Sequence, residues 1–502
     1  MIALYDTLTK RKAPLRPLVP GQVGIYLCGP TVYNSAHVGH ARPEMTIDVL
    51  RRWLEASGLK ATVVRNFTDV EDKIIKRAAE LGEDPAALAA RYAVEYVADM
   101  DSLDIKRPSI EPRVSETIPG IIDYIERLIA AGKAYASGGD VYFAVDSFPP
   151  YGQLSGQNVA DLIAGARVDA NEDKRSPADF ALWKGAKAGE PSWPSPWGPG
   201  RPGWHIECSA MASQHLGPSF DIHGGGLDLV FPHHENEIAQ SQALTGAGSF
   251  AQLWTHNGLI KVNGEKMAKS LGNFFLLGEL VKRFDRETFR LFMLLTHYRS
   301  HINFELALGD DGKSVVGFTS LDDAEKRLDY FYTTLERLDQ WAASAGVAGD
   351  DVAAPASDVL PEASDLDARM RAAMDDDLNT AQALADAGEG MKLANRLLDS
   401  GKGVAKDVRA RTLARLRKDL RGVPCVLGLL TRPPRDFLDA RRARLVARRG
   451  LDAAAIERRL ADRDAARKSK DFKLSDDIRA ELKALGVEVM DGPTGATWRV
   501  VD

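Results

Sequence analysis

The first third of the chain alternates between continuous apolar runs and apolar residues at helical spacing. The run QVGIYL, residues 22–27, predicts a buried strand that ends in the loop signal Cys28-Gly29-Pro30. A helical pattern follows and stops at Gly58, and the run ATVVRNF comes directly after it; the periodic positions are Met45, Val49, Leu50, Trp53 and Leu54. This strand, helix, strand order predicts a doubly wound α/β domain with a parallel sheet.

The pattern changes between about residues 111 and 203. A helical stretch (SETIPGIIDYIERLIAAG) and a predicted hairpin (KAYASGGDVYFAV) precede a stretch crowded with Pro, Gly and Trp. The α/β pattern resumes at FDIHGGGLDLVFPHHENEIAQS, which predicts a strand, a Gly-rich loop and a helix beginning near Pro232. We therefore expect one α/β domain over residues 1–310, with 111–203 inserted into it.

The rest of the chain predicts mostly helices. Residues 311–435 have the pattern of a helical bundle, interrupted at about 341–365 by a segment whose Ala, Asp and Pro content suggests a linker. Residues 436–502 form a small α+β domain in this interpretation, with charged helices followed by a hairpin whose turn is DGPTG.

Composition excludes some classes of protein. The net charge of −6 argues against a protein that is basic overall and binds nucleic acid over its whole surface. The stretch 441–473 is locally basic, which fits either a solvated helix face or a surface that contacts phosphates. No apolar stretch is long enough to span a membrane and the start does not resemble a secretory signal, so we expect a cytoplasmic protein without membrane contact.

The three cysteines are too scattered for a disulfide framework, so thiols or metal ligands are expected. His233 and Glu237 are four residues apart on the predicted helix and project from one face, which offers half of a tetrahedral zinc site. Cys208 and Cys28 could complete it. A plain surface hydrogen bond between His233 and Glu237 is the alternative, and HHENE also allows His234 or Glu235 to point inward.

Two further stretches suggest nucleotide chemistry. His37-Val38-Gly39-His40 follows the first strand at the start of a helix, where backbone N–H groups, a glycine and two imidazoles favour phosphate. The loop 264–273 carries Lys266 and Lys269, whose ammonium groups can neutralise charge on a reacting polyphosphate. Taken alone, a segment of this kind is more often a plain solvated loop.

Together these stretches resemble the class I aminoacyl-tRNA synthetases, in their cysteine-specific branch. HVGH is similar to the His-Ile-Gly-His signature and KMAKS to the Lys-Met-Ser-Lys-Ser loop. The motifs CGPTVYNSAHVGHAR, NFTDVEDKII, GWHIECSAM, FPHHENEIAQS and DGPTGATW extend the resemblance over nearly the whole chain. It implies a Rossmann-like catalytic domain, a helical bundle that contacts the tRNA stem and a C-terminal anticodon-binding domain.

The resemblance also implies roles for residues. Zn²⁺, one per chain, would be bound by Cys28, Cys208, His233 and Glu237, and it would select L-cysteine by its thiolate. ATP, with Mg²⁺, would contact His37, Gly39, His40 and Lys269, with Lys266 and Lys269 closing over the phosphates. The amino-acid pocket would include Cys28, Gly29, Thr68, Trp204 and Asp228, the last pairing with the substrate ammonium. Each of three residues also has a purely structural alternative: Thr68 could cap a strand end, Trp204 could belong to the core, and Asp228 could be a turn residue.

The expected partners are tRNA(Cys), L-cysteine and ATP, and the expected quaternary state is a monomer. Trp498, beside the basic segment, is suited to stacking on a base of the tRNA. Ala268 departs from the family's loop by lacking a hydroxyl, and since both lysines remain, we expect a modest effect on rate. The rival functions are a cysteine ligase that acts on an amino sugar and a non-catalytic tRNA-binding paralogue.

Overall fold

The computed structural model describes residues 1–158, 173–267, 273–311, 314–347, 356–492 and 495–501. Its strands are β1 (Ala3–Asp6), β2 (Arg11–Pro14), β3 (Gln22–Leu27), β4 (Lys60–Arg65), β5 (Ala134–Ser137), β6 (Asp140–Phe143), β7 (Phe180–Gly185), β8 (Gly200–Pro202), β9 (Ser219–Gly226), β10 (Phe250–Asn257), β11 (Ile260–Val262), β12 (Glu265–Lys266), β13 (Ile302–Phe304), β14 (Ala307–Leu308), β15 (Val315–Gly317), β16 (Val487–Gly492) and β17 (Gly495–Val500).

The α-helices of the described chain begin with α1 (Val38–Ala56), α2 (Asp72–Leu81), α3 (Pro85–Ser102), α4 (Val114–Ala130), α5 (Trp204–Leu216), α6 (Glu235–Thr245), α7 (Leu277–Arg283) and α8 (Arg286–Leu294). They continue with α9 (Thr319–Ser344), α10 (Pro361–Ser364), α11 (Leu366–Asp375), α12 (Thr380–Asp399), α13 (Lys406–Asp419), α14 (Gly422–Val426), α15 (Pro434–Arg449), α16 (Ala453–Lys468) and α17 (Phe472–Ala484). None of these helices combines the length and apolar character that crossing a membrane requires.

A four-stranded parallel sheet in the order β10-β9-β3-β4 forms the centre of the α/β part. Because β3 pairs with β4 on one side and with β9 on the other, the chain changes direction across the sheet at β3. Open parallel sheets bind ligands at such a switch point, at the carboxyl ends of the strands. The predicted α/β fold is confirmed, and its sheet predicts a site next to Cys28.

The inserted part has its own antiparallel sheet, in the order β5-β6-β7-β8. It lies between β4 and β9 in the chain, and its hairpin β5-β6 and helix α4 occur where the apolar pattern predicts them. Buried residues of both sheets belong to one apolar cluster that includes Tyr26, Phe143, Trp183 and Trp254. The insertion is therefore packed on the α/β core through apolar contacts.

Two local predictions are wrong. The glycines 224–226 extend strand β9, pairing with Thr255, His256 and Asn257 of β10, because ladder hydrogen bonds outweigh glycine's low strand propensity. The helix predicted from Pro232 begins as a regular α-helix only at Glu235. Phe231 has an extended backbone, the peptide to Pro232 is cis, and the chain is kinked within Val230–His234 before it enters α6.

The chain divides into two compact units. The first comprises residues 1–328 with the described part of 350–429, and the second comprises the described part of 329–349 with 430–502. In the second unit, Trp498 and other apolar side chains of the hairpin β16-β17 pack with those of α15, α16 and α17, among them Leu445, Leu460 and Ile478. Helix α9 extends to Ser344 and α10 begins at Pro361, so both reach into the expected linker, whose residues 348–355 lie outside the described chain.

Candidate active site

Cys28 lies directly after β3, at the switch point of the sheet. Its backbone N–H donates to the Gly224 carbonyl (3.3 Å), and that of Gly29 donates to Asn66 Oδ1 (2.9 Å). A Cβ added to Gly29 would lie 1.6 Å from the Asn66 carbonyl oxygen. Only glycine permits this close approach, which directs the Cys28 side chain across the strand ends.

Four possible metal-donor groups meet there. The ligand atoms of Cys28, Cys208, His233 and Glu237 all lie within 4.8 Å of one another. The two sulfurs are 3.6 Å apart, Cys28 Sγ is 3.3 Å from Glu237 Oε1, and His233 Nε2 is 3.1 Å from the same oxygen. Metal–donor bonds of zinc imply tetrahedral edges of about 3.3–3.8 Å, so the spacing and the donor chemistry fit that ion.

The two thiols differ in protonation. Burial raises the pKa of Cys28, and the neighbouring Cys208 adds to the effect. Burial also opposes ionisation of Cys208, but the hydrogen bond from Cys28 together with the charge and hydrogen bond of His233 outweighs it, and the pKa of Cys208 falls to about 6. Without a cation the pair favours one thiol and one thiolate; a divalent metal favours two thiolates.

His234 and Glu235, the alternative candidates for inward-pointing residues, have different surroundings. The Glu235 carboxylate accepts hydrogen bonds from the backbone N–H groups of Gly152, Leu154 and Ser155, which ties α6 to the insertion. His234 does point inward, with Nε2 3.3 Å from Cys28 Sγ, and Cys28, His223, His234 and Glu237 form a second possible donor set. That set has one sulfur where the first has two.

Two histidines near the site were not predicted from the sequence. His223 Nε2 lies 2.8 Å from Glu237 Oε2, and His256 Nε2 lies 2.7 Å from His234 Nδ1. Both come from the carboxyl halves of adjacent parallel strands, β9 and β10. The position of His223 on the strand predicted just before the glycines is the signal that could have identified it; no predicted element contained His256.

The residues expected in the amino-acid pocket lie at different depths. Thr68 is buried and its hydroxyl donates to Glu207 Oε2 (2.9 Å), one position before Cys208. Trp204, the first residue of α5, stacks on His233 with ring centroids 4.2 Å apart. Asp228 is exposed in a short turn over Leu227–Leu229. Trp204 thus contacts the donor cluster directly, and Thr68 approaches it through Glu207.

His37 and His40 form the entrance to α1. His37 Nδ1 accepts from the Gly39 N–H (3.0 Å), and His40 Nδ1 accepts from the His37 N–H (3.1 Å), so the two imidazoles cap the helix reciprocally. Their ring centroids are 3.9 Å apart. Burial and, secondarily, His37 lower the pKa of His40 to about 3, so His40 is neutral at physiological pH. The partly buried rings lie at the positive end of the helix dipole, which suits an anionic ligand.

The residues that directly follow the loop 264–273 contact the start of α1. Val38 N–H donates to the Phe275 carbonyl (3.2 Å), and the Phe274 ring lies 4.8 Å from that of His37. Lys266 is exposed at the end of β12, and its carbonyl accepts from the Asn273 side chain. Ala268 and Lys269 lie outside the described residues.

The expected stacking of a base on Trp498 does not agree with its position. Its side chain is 4% exposed, its Nε1 donates to Glu457 (2.8 Å), and Arg442 covers the ring at 5.1 Å from the centroid. This indole is part of the core of the second unit, because a large apolar ring stabilises a small domain more by burial than by exposure. Phe472, at the start of α17, is 63% exposed and is flanked by Lys470 and Lys473.

Comparison with known families covers most of the chain. Residues 14–311 match the family described as tRNA synthetases class I (C) catalytic domain, and residues 369–431 match the DALR domain. Residues 448–499 match the family described as cysteinyl-tRNA ligase anticodon binding domain.

Full-length relatives and solved structures agree with these matches. The chain is 51% identical to a cysteine–tRNA ligase of Anaeromyxobacter sp. strain Fw109-5 and 47% identical to one of Geobacter metallireducens, with 99% of each chain covered in both cases. A methionyl-tRNA synthetase of Mycobacterium tuberculosis shares the fold at 16% identity, with a TM-score of 0.60 over 83% of this chain and 93% of that one. The chain belongs to the cysteinyl-tRNA synthetases, a family of class I aminoacyl-tRNA synthetases.

Proposed function

We propose that this chain activates L-cysteine with ATP and transfers it to tRNA(Cys), and that it selects cysteine by zinc–thiolate coordination. The observation that carries the proposal is the convergence of two sulfurs, an imidazole and a carboxylate at the switch point of the parallel sheet. Cys28, Cys208, His233 and Glu237 would hold the metal, in preference to the second set, because two thiolates suit zinc better than one.

Bound Zn²⁺ would supply an affinity for soft thiolate sulfur that the hydroxyl of serine does not match. The protein's own side chains would give the rest of the recognition. Trp204, stacked on His233, would form an apolar wall, and Thr68 would lie behind it. Asp228 and Gly29 complete the proposed pocket, with the carboxylate of Asp228 pairing with the substrate ammonium.

Activation would take place between this pocket and the start of α1. A carboxylate oxygen of cysteine attacks the α-phosphorus of ATP, the bond from that phosphorus to the β-phosphate oxygen breaks, and pyrophosphate leaves. His37, Gly39, His40 and Lys269 would bind the phosphates, with Lys266 and Lys269 neutralising the charge that develops and Mg²⁺ accompanying ATP. His40, neutral because its pKa is near 3, would donate a hydrogen bond and no formal charge.

In the second step a terminal ribose hydroxyl of the tRNA attacks the cysteinyl carbonyl carbon, and AMP leaves with the bonding electrons. The second compact unit would bind the anticodon, with Phe472 and its flanking lysines as the stacking and phosphate contacts in place of Trp498. An amino-sugar ligase is not favoured, because residues 448–499 match an anticodon-binding family.

We also propose a cytoplasmic monomer. All of the proposed site residues come from one chain, so no second copy is needed to complete the site. Two metal-binding thiols are maintained most readily in a reducing compartment, where the substrates tRNA and ATP are also found.

The metal assignment is tested with Cys28→Ser and its control Cys425→Ser. Cys425 is the third cysteine, in α14 and outside the donor cluster. We expect Cys28→Ser to lose most of the bound zinc, measured as metal per chain after desalting, and to lose cysteine-dependent ATP–pyrophosphate exchange. Cys425→Ser should retain both. Full zinc content in Cys28→Ser, together with intact discrimination of cysteine from serine, would rule out Cys28 as a ligand.

A further inference from the structure

The turn between α11 and α12, residues 375–380, connects the helical bundle to the α/β domain, and we call it the junction turn. Asp377 and Leu378 both have left-handed backbone conformations, with φ of 64° and 49°. Residues other than glycine rarely adopt this region, so surrounding contacts must hold the turn in place. Asp377 is fully buried and supplies most of these contacts.

The Asp377 carboxylate binds two separate segments of the α/β domain. Oδ1 accepts from the backbone N–H of Tyr5 in β1 (2.7 Å) and from the hydroxyl of Tyr298 (2.7 Å). Oδ2 accepts from Arg299 Nε (2.7 Å) and lies 3.6 Å from His297 Nε2. Charge-assisted hydrogen bonds of this kind are the stronger ones, particularly when buried.

The chain leading into segment 297–299 also contacts α1, the helix that begins beside His37 and His40. Arg42 of α1 is buried and donates to the carbonyls of Met293 (2.6 Å), Thr296 (3.3 Å) and His297 (2.9 Å). Further along α1, Trp53 Nε1 donates to Asp375 (3.1 Å) in the junction turn itself. Helix α1 is thus linked to the junction turn both directly and through residues 293–299.

We propose that Asp377 is a positioning residue that fixes the helical bundle relative to α1, so that bound tRNA presents its terminal ribose to the aminoacyl adenylate. This inference rests on the proposed function and adds a role for a residue outside the active site. Asp377 contacts none of the residues assigned to cysteine or ATP. Its loss therefore affects transfer to tRNA, and adenylate formation proceeds without it.

The test compares Asp377→Asn with Asp376→Asn. The asparagine keeps an acceptor for Tyr5 and Tyr298 but loses the charge that binds Arg299. Asp376, the neighbouring residue, is more exposed and pairs with Lys12 at the surface, so Asp376→Asn is a matched control. A second variant, Arg299→Gln, removes the same ion pair from the other side and leaves the turn's own sequence intact.

Cysteine-dependent ATP–pyrophosphate exchange and single-turnover transfer from preformed adenylate are measured on the full chain. We expect Asp377→Asn and Arg299→Gln to keep exchange within about twofold and to slow transfer at saturating tRNA by about tenfold, or about 1.4 kcal/mol. The double variant should be no slower than the slower single variant, and Asp376→Asn should match the wild type.

A parallel fall of exchange and transfer in both variants would identify a purely structural role and overturn the proposal. Unchanged transfer in Asp377→Asn and Arg299→Gln would overturn it as well. If the wild-type chain forms adenylate but charges no tRNA, the proposed function itself fails, and that outcome is seen before any variant is compared.

Discussion

At the scale of single residues, the site depends on where Cys28 points. Its sulfur lies 3.6 Å from that of Cys208 and 3.3 Å from Glu237, although these residues are about 180 and 209 positions away in the chain. That arrangement depends on the backbone at Gly29, which crosses the end of β4 so closely that no side chain fits. The proposed metal site is therefore specified by a glycine as much as by its donor atoms.

The variant Gly29→Ala tests this dependence. Its new methyl group would overlap the Asn66 carbonyl oxygen, so the loop must move and displace the Cys28 sulfur. We expect zinc content to fall severalfold, measured as bound metal per chain. Gly24→Ala, in the preceding strand β3, is the control, because there the nearest atom to an added Cβ is at an ordinary 3.4 Å. Full zinc content in Gly29→Ala would contradict the argument.

At the scale of elements, the apolar pattern predicts regular helices and buried strands. The apolar periodicity and the end at Gly58 predict α1, and the run QVGIYL predicts β3; both form where expected. The turn before α6 was not predictable in this way, because the extended backbone of Phe231 leaves no signal in the apolar spacing. His223 and His256 were missed for a related reason, since neighbouring strands that are far apart in sequence bring them together.

Asp99 on α3 gives a prediction at this scale. Burial and the nearby Glu95 raise the pKa of Asp99 to about 6, against a smaller opposing effect of Lys282 on α7. Because the folded pKa exceeds the unfolded one, the stability that the protonated form contributes is present below about pH 4 and is lost as pH rises through 6. We expect Asp99→Asn to raise the free energy of unfolding above pH 7 by about 1–2 kcal/mol, after allowance for solvent screening.

Denaturant unfolding at pH 5 and at pH 7.5 measures this difference. The gain should be smaller at the lower pH, where Asp99 of the wild type is largely protonated. Asp101→Asn is the control on the same helix, since Asp101 is exposed and pairs with Arg107. A loss of stability at pH 7.5 in Asp99→Asn would show that the carboxylate is favourably paired.

At the scale of the whole molecule, the sequence alone locates the catalytic domain better than the residues that would contact the tRNA anticodon. The motifs around Cys28, His37 and His233 predict the catalytic α/β domain, because each motif contains residues with specific chemistry at fixed spacing. The base-stacking role predicted for Trp498 is not supported, because its burial depends on how α16 and the β16-β17 hairpin pack, and the sequence pattern does not contain that information. The exposed Phe472 becomes identifiable only when the core of that unit is known.

The central claim is that this chain is a cysteine–tRNA ligase, and the full-length protein tests it most directly. The measurement is ATP–pyrophosphate exchange with each amino acid in turn, followed by charging of total tRNA with labelled cysteine. We predict exchange with cysteine and not with serine, and cysteine attached to tRNA through an ester. Exchange without charging would favour the amino-sugar ligase, and the absence of cysteine-dependent exchange would contradict the account.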